Sequence, residues 1–381
     1  MQGSGERVRR FDPEQYMPGL DGLRAVAVGC VLLAHGFEQF GGLDSLHPYE
    51  RLISAVCGRL GTAGVKLFFA ISGYLICTRF AGELMRWERG AALRAFYVRR
   101  VFRIIPPLLP YLLVLTVGLY FGALAKGPSE IFAALFFYSN YFSDKSWFTT
   151  HFWSLSVEEH FYLIWAPLLA FAGRRWAGWV AVAVVIVTYF LRPVLTAPLT
   201  VQERVDALEK THLQLDSFML PCLLALALFH PRVRQVAFRF TKTAWLAVLV
   251  AGLAFTGALP QTGLKLLDTQ SFQALLFAGI VILPPLRPDW SVTKALESRP
   301  LVWIGRRSYA IYVWQNLFLV PFDAPMIHKV VPFLWHSAVV IAIAGISYKL
   351  LEKPCMATGR RLAGRITAAS AAKAALPNQV A

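Results

Sequence analysis

The sequence has few charged residues and few cysteines, and it shows no spacing typical of metal ligands. Charged residues make up 16% of the 381 residues, whereas 56% are hydrophobic, and the mean hydropathy is +0.51. A soluble domain of this length would need a more polar surface. The five cysteines are scattered without a CxxC pair. The sequence therefore indicates neither a disulfide framework nor a zinc site, and we expect no metal.

Acidic residues are scarce relative to basic ones, which gives a formal net charge of +16. A basic chain can bind nucleic acid when its cations gather on one surface. Here the Lys and Arg residues lie between long apolar runs, so we expect no nucleic-acid partner. The sequence also lacks an internal repeat of about 20 to 50 residues and a matching pair of broken helices, which disfavours a carrier.

Ten apolar stretches are long enough to cross a membrane as helices of about 17 to 25 residues. They predict an all-α fold, a polytopic integral membrane helix bundle with about ten transmembrane helices. The stretches lie near 20–40, 60–80, 104–124, 153–173, 177–194, 213–229, 244–260, 269–286, 308–326 and 332–351. A further apolar run, from Ile131 to Phe142, is too short to cross and is predicted to be interfacial or re-entrant.

The distribution of basic residues predicts the orientation of this bundle. Twenty-seven Lys and Arg residues fall in one set of alternate connections and eight in the other. The positive-inside rule therefore places both termini in the cytoplasm. We divide the chain into a cytoplasmic N-terminal segment at 1–18, a membrane domain at 19–356 and a cytoplasmic, disordered tail at 357–381. The first 18 residues contain no apolar core of a signal peptide, so the first span is expected to start insertion.

The first predicted span carries Asp21 and Arg24 at its start and His35 deep inside. At about 100° per residue, the eleven steps from Arg24 to His35 place both side chains on one stripe, about 16 Å apart. Ionisable residues at membrane depth are costly and mark functional sites by default. The alternative is that Arg24 is an end anchor paired with Asp21, and that another helix satisfies His35.

Arginines gather where the third predicted span begins. If the segment is helical, Arg100 and Arg103 share one face, and Arg99 precedes them. Guanidinium groups suit phosphate, so an anionic cofactor could bind here. The alternative is that these arginines only set the topology and contact anionic lipid.

Two short patterns in other spans also bear on the site. Ser72 and Gly73 in the second span predict the close approach of another backbone. Ser156 and Glu159 have the spacing of a capping box at the start of the fourth span. That spacing gives Glu159 a structural explanation and leaves Glu158 without one, so Glu158 becomes a catalytic candidate.

Six stretches occur in the order and at the approximate spacing of the bacterial acyltransferase-3 family, which the chain resembles from about Pro18 to Pro354. They are DGLRAVAVGCVLLAH, GVKLFFAISGYLI, RRVFRIIP, WSLSVEEHFYLIW, GRRSYAIYVWQ and SYKLLEKP. Members are integral membrane enzymes that move an acyl group, commonly acetyl from acetyl-CoA, onto hydroxyls of carbohydrates. The resemblance implies an acyl-CoA donor, a carbohydrate or glycoconjugate acceptor and a location among the lipids of the bacterial cytoplasmic (inner) membrane.

The resemblance also implies roles for individual residues. Arg24 and His35 match the functional arginine and histidine of the family's first helix, and Arg100 and Arg103 match its R-x-x-R motif. We place Arg99 with them as a candidate for binding the donor. Gln315 stands where many relatives have histidine, and His160 stands where many have glutamine, so their roles stay open.

His35 is the candidate general base for this reaction. A neutral imidazole, favoured in a desolvated site, could take the proton of the acceptor hydroxyl, or it could accept the acyl group itself. Glu38 could orient the ring. Outer loops containing Trp147 and His151 are expected to hold the acceptor. The alternative function is a transporter or lipid-linked glycan flippase, in which Arg24 and His35 would form a proton or anion path.

Overall fold

The computed structural model of the chain describes residues 16–37, 48–241, 243–258, 269–322 and 326–375. Within these ranges the regular structure is helical, which confirms the predicted all-α class. The α-helices are α1 Leu20–Gly36, α2 Pro48–Glu83, α3 Arg89–Tyr120, α4 Pro128–Leu135, α5 Trp147–Thr150, α6 Phe152–Thr196, α7 Val201–Leu208, α8 Asp216–Leu228, α9 Pro231–Phe240, α10 Thr243–Ala258, α11 Thr269–Leu286, α12 Ser291–Leu296, α13 Arg299–Phe318, α14 Met326–Ser347 and α15 Lys353–Ala375. A π-helical turn, Tyr348–Glu352, joins α14 to α15.

Among the described residues, five helical segments are long and apolar enough to cross a membrane, or six if the bent pair α8 and α9 is one span. This multi-pass bundle has fewer such segments than the ten spans predicted. One reason is that α1 and α10 have only 17 and 16 residues. A second reason is that α13 carries three arginines. A third is that α6 contains both the fourth and the fifth predicted spans.

Helix α6 is broken near its middle, at the boundary that the sequence predicted between two spans. Gly173 there has φ 76° and ψ 167°, which are not helical values. The predicted capping box at the start of this helix is wrong, because α6 begins four residues before Ser156. The Ser156 hydroxyl instead donates to the Phe152 carbonyl oxygen at 2.9 Å, inside the first turns. The short helix α4 has eight residues and cannot cross, as predicted for this run.

The helices that carry the candidate residues pack closely together. Helix α1 lies against α2 and α13, and α2 also packs against α8. A Cβ atom added to Gly73 would lie 2.5 Å from the Phe218 carbonyl oxygen, so only glycine fits there. This contact confirms the predicted close approach at Ser72 and Gly73. The ring of Phe218 stacks on Phe69 and on Phe161, each at 4.5 Å between centroids, and forms the apolar core beside the site.

The prediction of a disordered tail at 357–381 is wrong for the part that the structure describes. Helix α15 continues to Ala375 and packs along α3. Its sequence is rich in alanine, arginine and lysine, which have high helix propensity. One face is also buried, since Ala363 is only 2% exposed. The tail therefore forms a wall of the bundle, and only residues 376–381 lie outside the described part of this segment.

Candidate active site

A cavity of about 460 Å³ lies between α1, α2, α3, α6, α13 and α15. Its lining contains more basic than acidic groups. The basic side chains are Arg24, Arg79, Arg100, Arg103, Arg306 and Arg360, and the acidic ones are Asp21, Glu158 and Glu352. Guanidinium groups bind phosphates by paired, charge-assisted hydrogen bonds. The cavity is therefore suited to a ligand with several negative charges.

Arg24 lies at the cavity wall and is also paired with an acid. Its Nη1 atom is 2.8 Å from Oδ1 of Asp21, and Nε of Arg306 is 3.2 Å from the other oxygen of the same carboxylate. The local ion pair of the alternative interpretation is thus present. Arg24 nevertheless lines the cavity. Because Arg24 and Arg306 share a single carboxylate, net positive charge remains at this wall.

The segment before α1 is fixed by Glu297, which follows α12. The Tyr16 hydroxyl donates to Oε2 of Glu297 at 2.9 Å, and the Gly19 backbone N–H donates to Oε1 at 2.5 Å. Burial, followed by this hydrogen bond, raises the pKa of Tyr16 to about 12. These bonds hold the start of α1, and with it Arg24, in one position.

The three arginines of α3 do not all face the cavity. Arg100 and Arg103 line it, and the Arg100 guanidinium lies 4.9 Å from the ring centroid of Tyr162. Arg99 is absent from the described lining. Its Nη2 atom instead pairs with both carboxylate oxygens of Glu83, each at 2.6 Å. One helical step of about 100° separates Arg99 from its neighbour. We therefore leave Arg99 out of the candidate site.

Glu158 lines the same cavity and accepts two hydrogen bonds from other side chains. The Ser72 hydroxyl donates to its Oε1 atom at 2.5 Å, and the Tyr162 hydroxyl donates to the same atom. The carboxylate is therefore held between α2 and α6. The next residue, Glu159, has a buried Oε1 atom that lacks a hydrogen-bond partner among the described residues.

His35 lies in the last turn of α1, outside the lining of the arginine-rich cavity. Its ring meets the Trp147 ring edge to face, with 5.2 Å between centroids. Gln315 of α13 lies beside it. The buried Nδ1 atom of His35 makes no hydrogen bond within the described part of the chain. Glu38, suggested as a partner for the ring, lies outside the described residues.

Sequence reasoning missed a group of buried polar side chains around His35. His151 was expected in an outer loop that holds the acceptor, but it is only 2% exposed, and Gln315 is fully buried. The ring nitrogens of His151 and the amide atoms of Gln315 make no hydrogen bond of good geometry with a described residue. Their close polar neighbours are the Val313 backbone for His151 and the His35 ring for Gln315. Buried polar atoms are nearly always paired, so such a group marks a place where a polar ligand could bind. The only sequence signal was that Gln315 departs from the family pattern.

Two residues connect this polar group with the cavity. Ser154 and Tyr312 line the cavity, and their hydroxyl oxygens lie 2.5 Å apart. The Tyr312 hydroxyl also donates to the His151 backbone oxygen at 2.9 Å. The arrangement runs from an arginine-rich region near the start of α1, past Ser154 and Tyr312, to the histidines. It could hold a long anionic ligand at one end and activate a hydroxyl at the other.

The fold and the site define a multi-pass helical membrane protein with an arginine-lined cavity and a buried histidine on its first helix. The chain belongs to the acyltransferase-3 family, whose sequence profile, described as an acyltransferase domain, matches residues 17–350. The family identification made from the six sequence stretches is thereby confirmed.

Two relatives give the match more detail. The peptidoglycan O-acetyltransferase OatA of Listeria monocytogenes is 26% identical over 93% of this chain and 58% of its own length. The O-acetyltransferase OatA of Staphylococcus aureus is 26% identical over 93% of this chain and 59% of its own length. The chain thus spans less than two thirds of these relatives. No solved structure matches it significantly.

Proposed function

We propose that the chain transfers an acetyl group from acetyl-CoA to a hydroxyl group of peptidoglycan or a related envelope carbohydrate. The observation that carries this proposal is the arginine-lined cavity, which matches the phosphate groups of coenzyme A in charge. The acceptor class rests on the relative named as a peptidoglycan O-acetyltransferase. Family membership supplies the reaction type.

In this proposal Arg24, Arg100 and Arg103 bind the phosphates of the donor. The pantetheine arm then passes Ser154 and Tyr312, and the thioester reaches the polar group around His35. The two ends of the site are separated by about 16 Å along α1, roughly half of a hydrocarbon core of about 30 Å. The long and narrow shape of coenzyme A suits such a path.

The chemical step uses His35 as the general base. Its imidazole accepts the proton of the acceptor hydroxyl while the hydroxyl oxygen forms a bond to the carbonyl carbon of the thioester. The amide N–H of Gln315 donates to the oxyanion of the tetrahedral intermediate. The carbon–sulfur bond then breaks, and the proton passes from His35 to the departing thiolate, which leaves as coenzyme A. His151 shapes the polar surroundings in which His35 holds this proton.

The proposal further places donor and acceptor on opposite sides of the membrane. The basic connections near Arg100 and Arg103 are predicted to be cytoplasmic, where acyl-CoA is present. His35 lies three turns away from Arg24 along α1 and contacts Trp147, which belongs to a predicted outer loop. The carbohydrate would then enter from outside.

Release of free thiol from acetyl-CoA by the purified full chain tests the proposed activity. We expect release that depends on added peptidoglycan fragments, with one acetyl ester formed on the carbohydrate for each coenzyme A released. A transporter or flippase would release no thiol. Absence of thiol release by well-folded protein with these acceptors would contradict the proposed reaction.

A further inference from the structure

The last helix supplies part of the cavity wall, although it lies beyond the family match. The match ends at residue 350, whereas Glu352, Met356 and Arg360 all line the cavity. Their spacing of four residues places them on one helical stripe. The last turn of the family stretch SYKLLEKP and helix α15 therefore form one wall of the arginine-rich region.

The position of this stripe is fixed by two features of the backbone. The π-helical turn Tyr348–Glu352 precedes α15, and such turns often occur at functional sites. Farther along α15, a Cβ atom on Gly359 would lie 2.6 Å from Cβ of Phe102. This close contact sets the register of α15 against α3, the helix that carries Arg100 and Arg103.

Glu352 is the unusual member of the stripe. It is only 2% exposed, and its buried Oε1 atom has no hydrogen-bond partner among the described residues. The charged groups that act on it most strongly are the guanidinium groups of Arg103 and Arg307. Leaving a buried carboxyl oxygen without a hydrogen-bond partner is costly, and such an oxygen can accept a hydrogen bond from a hydroxyl or amine. A ligand that binds here should bring a hydroxyl or amine donor of its own.

We propose that Glu352 and Arg360 form a subsite for the ribose 3′-phosphate end of coenzyme A. Arg360 pairs with the 3′-phosphate, and Glu352 accepts a hydrogen bond from the adjacent ribose 2′-hydroxyl. Acidic side chains bind ribose hydroxyls in the same way in dinucleotide sites, and arginine matches phosphate geometry. This subsite rests on the proposed function, because it assigns a place to one end of the proposed donor.

The phosphate that meets Arg360 could come from a lipid headgroup instead of the donor, since its side chain is exposed. The two sources are distinguished by comparing coenzyme A with 3′-dephospho-coenzyme A, which keeps both ribose hydroxyls. A lipid-facing arginine would treat the two ligands alike. An arginine at the 3′-phosphate would not.

The test measures binding of both ligands to the purified full chain in uncharged detergent. We expect wild-type protein to bind coenzyme A at least about tenfold more tightly than the dephosphorylated form, because one charge-assisted contact is lost. Arg360→Ala should weaken coenzyme A about tenfold and leave 3′-dephospho-coenzyme A unchanged. Glu352→Gln should weaken both ligands to the same degree. The matched control is Arg361→Ala, because Arg361 is exposed and outside the described cavity lining.

Other results would contradict the subsite, the proposed donor or both. Equal weakening of both ligands by Arg360→Ala, or no weakening of either, would overturn the subsite and leave the proposed donor in place. Wild-type protein that binds neither ligand would overturn the donor and the subsite together. Should Arg360→Ala fail to give a monodisperse protein, Arg360→Lys takes its place. Lysine keeps the positive charge but cannot make the paired hydrogen bonds of a guanidinium group to a phosphate. The preference of this variant for coenzyme A over 3′-dephospho-coenzyme A should therefore fall to about half of the wild-type value on a logarithmic scale.

Discussion

The Ser72 hydroxyl donates to Oε1 of Glu158 at 2.5 Å and so connects α2 to α6 at the cavity wall. Tyr162 donates to the same oxygen. A carboxylate with two such donors has a fixed orientation, which allows it to position a neighbouring ligand or the cation Arg100. Glu158 and Ser72 therefore form one hydrogen-bonded unit.

A double-mutant cycle tests that unit. We expect Ser72→Ala to lower turnover on the order of tenfold, the effect of losing one hydrogen bond to a charged group. Glu158→Gln should lower turnover more, because it removes the negative charge to which the hydroxyls of Ser72 and Tyr162 donate. The double variant should resemble Glu158→Gln alone, since the interaction is already broken. Losses that simply add would show that the two residues act independently.

The arginines of α3 offer a prediction with a control in the same helix. Arg100→Ala and Arg103→Ala should each raise the KM for acetyl-CoA by about tenfold or more, since a hydrogen bond to a charged group contributes about 1.5 to 3 kcal/mol. Arg99→Ala should leave this KM unchanged, because Arg99 pairs with Glu83 outside the described cavity lining. Steady-state kinetics at varied donor concentration measure the three values. An equal effect of all three substitutions would indicate that these arginines only set the topology and do not bind the donor.

His35→Ala should abolish acetyl transfer and retain the binding of coenzyme A. The reason is that the ring lies outside the described lining of the cavity that is proposed to bind the donor phosphates. Insertion should stay near normal, because α1 remains amply apolar. His230→Ala is a suitable control, since His230 is exposed at the start of α9. Near wild-type turnover of the His35 variant would remove this residue from the mechanism.

Gln315→Leu should lower the turnover number by about 10²- to 10³-fold, the usual effect of losing one oxyanion donor. The KM for acetyl-CoA should stay close to the wild-type value, because Gln315 is remote from the donor phosphates in the proposed complex. Gln202→Leu, at an exposed position of α7, controls for the change of side chain. A variant that changes only KM would place Gln315 in substrate binding instead.

Local patterns in the sequence predicted which candidate residues share one face of a helix. The helical period predicted Arg24 and His35 on one stripe, and the spacing of Arg100 and Arg103 predicted one shared face. Arg24, Arg100 and Arg103 line the cavity, whereas His35 lies outside its described lining. Predictions of a shared face need only the geometry of one helix. The pair Ser72 and Gly73 likewise predicted a close approach because small residues have few other uses inside a helix bundle.

The remaining features of the site and the fold depend on contacts between distant parts of the chain. The arrangement of His151 and Gln315 beside His35 joins three helical regions, and no spacing in the sequence encodes it. The tail was expected to be disordered because it is rich in alanine and arginine, but its small residues allow α15 to pack along α3. That packing, which is tertiary, brings Arg360 and Glu352 to the cavity. The number of apolar segments found among the described residues is below ten partly because α6, although broken at Gly173, contains two of the predicted spans.

The central claim is that an acetyl group crosses the membrane between a donor site near Arg24 and an acceptor site near His35. Sealed vesicles with the chain in one known orientation test it directly, with acetyl-CoA and an impermeant peptidoglycan fragment supplied on chosen faces. We predict that the fragment is acetylated when it is outside and acetyl-CoA is on the face of Arg100 and Arg103. Acetylation only when both substrates share one face would contradict the account.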